Sequence, residues 1–318
     1  MMKNILLLSA GTNACYHIAK TLKEKFPNDF KIIGADINAK HLIPTCNYLD
    51  AFHQVPYNNA PGYYEKVLEI CKTEHVDFLI PSFDADQKLF YPENPDLRAL
   101  NTKSFGTSNK TLPIYDNKVK MADFLQQNRL PVPTNYAKTD VNPDVEYMVK
   151  PVNGVGSIGA ALRYGRDIAN IDAAKYVIQE KCFEPEITME CFLYGNVFSC
   201  VCRERIAAKS GVCVKGRIFN DEMLAEIGRK FIKIAGVPYV FNLQFMKNAQ
   251  DKYVITDVNL RTAGGMSMAC AAGWDEISAL ANIMLGAPEQ TISKCVPQNT
   301  PETFVMRAYT DIITHREK

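Results

Sequence analysis

The chain has 318 residues, 47% of them hydrophobic, and a formal net charge of +1. That length suits two or three compact units of a soluble globular protein, and the near-neutral balance gives no reason to expect nucleic acid or an anionic membrane surface as a partner. Ten cysteines without a CxxC pair and five dispersed histidines give no indication of zinc or a Ser-His-Asp triad, and fit scattered buried thiols in a reducing cytoplasm. No apolar run approaches the roughly 20 residues of a membrane span.

Ile5 to Leu8 is short and runs into the small-residue turn Ser9-Ala10-Gly11-Thr12-Asn13, so it reads as a first buried strand rather than a leader. Ala14 to Phe26 places Ile18, Leu22 and Phe26 at helical spacing, and Lys31 to Asp36 is a second strand ending in an acid. This βαβ start lacks the G-x-G-x-x-G fingerprint of a dinucleotide site, with Gly11 alone in the turn. Asp36 is either a ribose ligand or the close of a strand against solvent. Tyr63 to Thr73 is a predicted helix and Val76 to Ile80 the next strand, which runs into Pro81-Ser82-Phe83-Asp84-Ala85-Asp86. Acids at the carboxyl end of a parallel strand line a ligand crevice or cap the helix that follows, so both roles are open for Asp84 and Asp86. With Phe105-Gly106 as a last short strand, residues 1–113 form one α/β unit.

Asp116-Asn117-Lys118 is predicted to open a helix through Asn128, with Asp116 as N-cap. Glu146 to Pro151 is a strand that delivers Lys150, followed at once by Asn153-Gly154-Val155-Gly156-Ser157-Ile158-Gly159. No GKS or GKT ends this loop, so it is not a Walker A motif. Closely spaced glycines nevertheless let the backbone approach an anion and aim amides at it. With Ala160 to Arg163 returning, the segment reads as a Gly-rich phosphate flap or as a loose hairpin. Tyr176 to Phe183 is a strand; after Glu184-Pro185-Glu186, Ile187 to Leu193 and Val197 to Arg203 form a hairpin about Tyr194-Gly195-Asn196. Lys209 to Arg217 is basic, and Arg203, Lys215 and Arg217 would meet a ligand or form an exposed basic edge. Glu222 to Ala235 is a helix with Leu224, Ile227, Phe231 and Ile234 on its apolar face. Gly264 to Ser267 is a tight turn, Trp274 to Met284 a helix stopped by Gly286, and Phe304 to Tyr309 a late strand.

The stretch Val254 to Arg261 carries most of the chemistry. As a strand it points Asp257, Asn259 and Arg261 one way and Val258 and Leu260 into a core. Asp and Asn offer hard oxygens to Mg²⁺, and Arg offers a planar fork for phosphate. Val240 to Phe245 would pair with it as a hairpin. An even connecting loop puts Gln244 on the face of Asp257, and an odd one puts it on the opposite face. Gln244, Asp257 and Asn259 would then be a three-oxygen metal site with one formal negative charge, leaving nucleotide phosphates to supply the rest.

In their order and spacing these parts resemble the ATP-grasp superfamily. The likeness is to the synthetase unit of the carbamoyl phosphate synthase large subunit and its small stand-alone relatives, and it runs from about Asp116 to Gly286. The resemblance implies a mixed α/β and α+β chain: an N-terminal Rossmann-like parallel sheet (1–113), a small lid subdomain with the Gly-rich flap (114–182) and a core subdomain (183–318). It implies that Lys118 and Lys150 contact ATP phosphates under the flap, with Gly154, Gly156, Ser157 and Gly159 closing over them. Glu180 and the backbone of Lys181 and Cys182 would meet adenine, and Glu186 the ribose. Gln244, Asp257 and Asn259 would hold Mg²⁺ or Mn²⁺, and Arg261, with Lys150, would serve the transferring phosphoryl group. Asp257 replaces a Glu of that synthetase unit and Gln244 replaces a frequent carboxylate, which argues against a second ion. One synthetase unit without a glutaminase region also argues against carbamoyl phosphate synthesis. The implied activity is ligation of a small carboxylate to an amine through an acyl phosphate, with a homodimer as the family-based expectation. The alternatives are a catalytically silent ATP-binding sensor or assembly protein, and an oxidoreductase using the N-terminal unit.

Overall fold

The structure, a computed structural model, describes residues 2–154, 158–209 and 211–315. Five parallel strands, β1 (Lys3–Leu8), β2 (Phe30–Asp36), β3 (Ala51–Gln54), β4 (Phe78–Pro81) and β5 (Lys103–Ser104), form the first sheet in the order β3-β2-β1-β4-β5. The central strand explains its own sequence. Ile5 and Leu7 pack on one face beside Ile18 and Leu22 of α1 (Asn13–Lys25), while Leu6 and Leu8 pack on the other beside Val67 and Ile70 of α2 (Tyr63–Thr73). A strand covered on both faces needs apolar residues at every position rather than at alternate ones. Strand order reverses between β1 and β4, and ligand crevices open at such a point, off the carboxyl ends of the strands. The short helices α3 (Asp84–Leu89) and α4 (Pro95–Ala99) follow β4; the last strand is Lys103–Ser104 rather than Phe105-Gly106.

Next come α5 (Leu112–Tyr115) and α6 (Lys118–Gln127), and then the antiparallel strands β6 (Glu146–Pro151), β7 (Ala161–Tyr164) and β8 (Tyr176–Glu180), ordered β7-β6-β8. The sheet has a small core of its own, built on Tyr147, Val149, Ile168 and Ile178. Asp116 is not the cap of α6. Asn117 is, its Oδ1 accepting from the amides of Val119 and Lys120 at 3.0 Å, while Asp116 pairs with Lys88 at 2.9 Å.

The largest sheet has six strands: β9 (Phe183–Tyr194), β10 (Val197–Lys209), β11 (Val212–Phe219), β12 (Val240–Lys247), β13 (Tyr253–Asn259) and β14 (Thr303–Met306), ordered β13-β12-β9-β10-β11-β14. Glu184-Pro185-Glu186, read from sequence as a break, lies inside β9. One face is covered by α7 (Glu222–Ala235), with Leu224 and Phe231 against Met189, Leu243 and Val258. The helix stops at Gly236, whose φ of +53° is the left-handed conformation glycine adopts without a Cβ clash. The other face is apolar at one end, under α8 (Met266–Ala271), α9 (Glu276–Met284) and α10 (Glu289–Cys295). The last predicted helix starts at Glu276 rather than Trp274, because the Asp275 carboxylate caps it. Trp274 is instead fully buried and donates from Nε1 to Ser199 Oγ at 2.9 Å. One continuous core joins α9 to α1, so the first sheet and the six-stranded sheet are fixed to each other. Among the described residues no helix is long and apolar enough to cross a membrane.

Candidate active site

The loop between β12 and β13 covers residues 248–252 and is odd. With a strict period of two it would set Gln244 opposite Thr256 and turn Asp257 to the other face. A β-bulge reverses that outcome. The register runs Lys247↔Tyr253, Met246↔Val254 and Phe245↔Ile255, then passes over Thr256 to Gln244↔Asp257 and Asn242↔Asn259. One extra residue on one strand re-aims everything beyond it. Gln244, Asp257 and Asn259 therefore share a face, for a reason the loop parity did not contain.

The bulge also frees a carbonyl. Lys150 Nζ donates to Thr256 O at 2.9 Å, and Thr256 Oγ1 bonds the Gln244 carbonyl at 3.3 Å. Lys118, the first residue of α6, reaches the same place and pairs with Asp257 Oδ1 at 3.2 Å. Its amide is tied to Val152 O at 2.9 Å, which couples the start of α6 to the end of β6. Two lysines and one carboxylate thus meet over the bulge. Burial pushes the Lys150 ammonium down to about 8; Asp257 opposes that shift and Lys118 adds to it. Burial likewise raises the neighbouring Cys182 thiol to about 11, so it is no nucleophile at neutral pH.

The polar face continues across the sheet. Cross-strand register aligns Asp257, Gln244, Thr188 and Arg203 in one row, and Asn259, Asn242 and Glu190 in the next. Asn242 is 2% exposed and braces the site: its Oδ1 accepts from Asn259 Nδ2 at 3.1 Å, and its Nδ2 donates to Arg261 O at 3.0 Å. It was overlooked in the sequence, although it stands two residues before Gln244 and so on the same face. Asn259 donates through its nitrogen, which leaves Oδ1 as an acceptor for a cation. Among the described residues no three His, Cys, Asp or Glu side chains gather as a metal site. The oxygens of Gln244, Asp257 and Asn259 are hard donors that fit one Mg²⁺ sharing the negative charge of a bound phosphate.

Several of the candidate residues already have partners in the fold. Asp84 holds Arg261 in a fork, Nε to Oδ1 at 2.6 Å and Nη2 to Oδ2 at 3.1 Å, so part of its guanidinium is already engaged. Asp84 lies in the first turn of α3, at the switch point of the first sheet, so it faces the site across the crevice. Asp86 does not face it; it is fully buried and bonded to Tyr63 OH at 2.7 Å and Ser9 Oγ at 2.8 Å. Glu186, expected at a ribose, is ion-paired with Arg205. Glu180 spends Oε1 on the Thr134 amide at 2.8 Å, and the Lys181 ammonium is paired with Glu146 at 2.6 Å. Both side chains therefore tie the end of β8 to neighbouring segments. Gly154 lines the site and Gly159 has φ +79°, whereas Gly156 and Ser157 lie outside the described residues. Arg217 belongs to an outer edge, paired with Glu204 at 2.8 Å and Glu302 at 3.0 Å; Lys215 is exposed, and Arg203 is buried.

Two cavities flank the hairpin and share Asp257 and Asn259. The first is bounded by Asp84, Lys88, Asp116, Lys118 and Gly154. The second, of about 300 Å³, is bounded by the α1 start (Thr12 to Ala14), Ser82, Gln244 and three arginines, Arg203, Arg205 and Arg261. A cleft between a parallel sheet and a bulged hairpin, with lysines entering from a lid, is the layout of an ATP-dependent ligase of the ATP-grasp class.

Comparison with known proteins agrees. Residues 172–307 match the family described as ATP-grasp in the biosynthetic pathway with Ter operon, and residues 5–104 match the PylC-like N-terminal domain. The chain thus carries an ATP-grasp region at residues 172–307 and a PylC-like N-terminal domain at residues 5–104. No curated protein matches the sequence. Among solved structures, N5-carboxyaminoimidazole synthetase from Staphylococcus aureus superposes with a TM-score of 0.70 at 12% identity, over 94% of this chain and 80% of that one. The biotin carboxylase domain dimer of Hydrogenobacter thermophilus 2-oxoglutarate carboxylase, in complex with MgADP, ADP and bicarbonate, gives 0.70 at 11% identity over 90% and 70%. L-amino acid ligase from Bacillus licheniformis gives 0.65 at 15% over 89% and 74%. At these identities the likeness is one of fold.

Proposed function

We propose that this protein is an ATP- and Mg²⁺-dependent ligase that phosphorylates a small carboxylate and passes the acyl phosphate to an amine or related nucleophile. The observation that carries this reading is the meeting of Lys118 and Lys150 with Asp257 above the bulge, beside Gln244 and Asn259. Mg²⁺, or Mn²⁺ in its place, would be held by Gln244, Asp257 and Asn259, and would neutralise charge on the phosphate oxygens. Lys118 would leave Asp257 for a phosphate oxygen, exchanging one anion for another, and Lys150 would hold its ammonium on the phosphates from the root of the flap. Arg261 would steady the phosphoryl group with the N–H groups that Asp84 leaves over. No protein nucleophile is required.

Several findings support parts of this reading. Related folds are described with ADP, MgADP and bicarbonate, and one is described as an amino acid ligase. The matching family is described as biosynthetic. A related domain is a dimer, which supports a homodimer here, and ten free thiols support a cytoplasmic setting. A division near residues 113 and 182 is supported by the succession of the parallel sheet, the three-stranded antiparallel sheet and the six-stranded sheet, although residue 113 lies inside α5.

A second reading, a nucleotide-binding sensor or assembly subunit without catalysis, is favoured by two observations: the single carboxylate in the metal set and the clamping of Arg261 by Asp84. Calorimetric titration with a non-hydrolysable ATP analogue, with and without Mg²⁺, tests the shared premise. Metal-dependent binding is expected. Release of ADP that depends on an added carboxylate and amine then separates the two readings, and nucleotide binding without any such release would leave the sensor reading standing.

A further inference from the structure

The second cavity contains more cationic capacity than the phosphoryl chemistry uses, and its three arginines differ in how much of that capacity is spent. Arg261 gives two N–H groups to Asp84 and one to Thr262 O at 3.3 Å. Arg205 is paired with Glu186 and bonds Gly211 O at 3.1 Å through Nη2. Arg203 donates to a carboxylate through Nε alone, to Glu190 Oε1 at 2.9 Å, with the weak acceptor sulfur of Cys213 as its other partner. Its Nη groups meet no oxygen acceptor among the described residues, yet its side chain is only 4% exposed and lines the cavity.

Such a guanidinium is placed, not stray. Glu190 is fully buried behind it and pins Nε, fixing the plane of the fork. Gly265 lies against its face: a Cβ there would stand 2.4 Å from Cζ and 2.6 Å from Nη2, so any larger residue would push the group away. Arg307 bonds Gly264 O and Ser267 Oγ, both at 3.0 Å, rather than Glu190. The structure therefore spends a buried acid and a glycine on holding, at the wall of a small cavity, a guanidinium whose Nη groups meet no oxygen acceptor among the described residues. A carboxylate is the group that fits such a fork side-on.

We infer that Arg203 recognises a spectator carboxylate, one that is neither phosphorylated nor attacked. It belongs either to the acid substrate, which is then a dicarboxylate, or to the amine, which is then an amino acid. This rests on the ligase reading for the identity of the cavity, but its test does not need catalysis. Matched compounds would be titrated into the full-length wild-type protein with and without MgADP: succinate against succinamate for the acid, and glutamate against 4-aminobutyrate and alanine against ethylamine for the amine. The carboxylate-bearing member of one set should bind about 10-fold or more tightly than its partner, and the set that discriminates identifies the source. Arg203→Lys keeps the charge beside Glu190 but loses the fork. It should remove that discrimination and, in turnover, raise KM for the same compound about 10-fold while kcat moves less than about threefold. Equal binding within every pair, no binding by any carboxylate, or an Arg203→Lys protein that discriminates as wild type does would each overturn the inference. Arg203-dependent binding in a protein that binds no ATP analogue would instead overturn the ligase reading and leave this one intact.

Discussion

Asp36 and Asp257 are both strand acids, and they have opposite fates. Asp36 is 6% exposed and accepts from the amides of Gly11 at 2.7 Å and Asn38 at 2.9 Å, and from Asn38 Nδ2 at 2.9 Å. Its partners are the turn that it closes, so it has nothing left for a ribose. Asp257 has a side chain 28% exposed, and its strongest partner is the long arm of Lys118. A carboxylate satisfied by backbone amides is locked, because freeing it strands buried donors. One held by a lysine can trade that lysine for a cation while the lysine takes a phosphate. The contrast shows that what a strand acid does is set by who satisfies it, and it separates the structural acids of the first sheet from the exchangeable acid of the hairpin.

The sharpest way to break the comparison is to remove each acid. Asp257→Ala should lower ADP release about 100-fold or more and abolish the Mg²⁺ dependence of ATP-analogue binding, with the thermal midpoint nearly unchanged. Retention of metal-dependent binding in calorimetry would mean that the hairpin is not the metal site. Lys150→Met should weaken the ATP analogue by about 30-fold, yet raise the melting midpoint by roughly 2–4 °C, because it removes a buried ammonium.

The pH dependence of Lys150 has two signs. Its folded value of about 8 lies below the ordinary 10.5, so from pH 8 to 10.5 the unfolded chain binds a proton that the folded lysine has lost. Folding therefore gains stability as pH rises through that window, and the penalty is fully present below it. Attraction for phosphate runs the other way. Analogue affinity in the wild type should fall as pH passes from 7 to 9 and should stay flat in Lys150→Met; parallel pH profiles for the two would remove Lys150 from the phosphates.

Asp36→Ala should cost about 2 kcal/mol in urea unfolding, since it orphans the Gly11 amide, while leaving analogue affinity within about twofold. A large loss of nucleotide binding with little loss of stability would move the functional acid to the first sheet. The smallest effect is expected from Gln244→Glu, which gives the hairpin a second carboxylate. The Mg²⁺ concentration that half-saturates ADP release should fall about threefold.

Much of this was legible in the sequence, and for identifiable reasons. The helices Tyr63–Thr73 and Glu222–Ala235 fall where apolar spacing put them, because one buried stripe leaves a strong 3.6-residue signal. The strand Glu146–Pro151 was marked by its own composition and delivers Lys150. Some short elements were not legible: α3, α8 and β3 are at most six residues long, too few to show a period by themselves. Partnerships were not legible either. Asp84 with Arg261 and Glu186 with Arg205 join residues that no local pattern relates.

The sequence by itself determined which side chains could share a face, because alternation along a strand is covalent geometry: Asp257 with Asn259, and Gln244 with Asn242. Tertiary structure decided that those two pairs face each other. An odd loop would have parted them, and the bulge at Thr256, stitched to Gln244 and to Lys150 from the lid, brought them back into line.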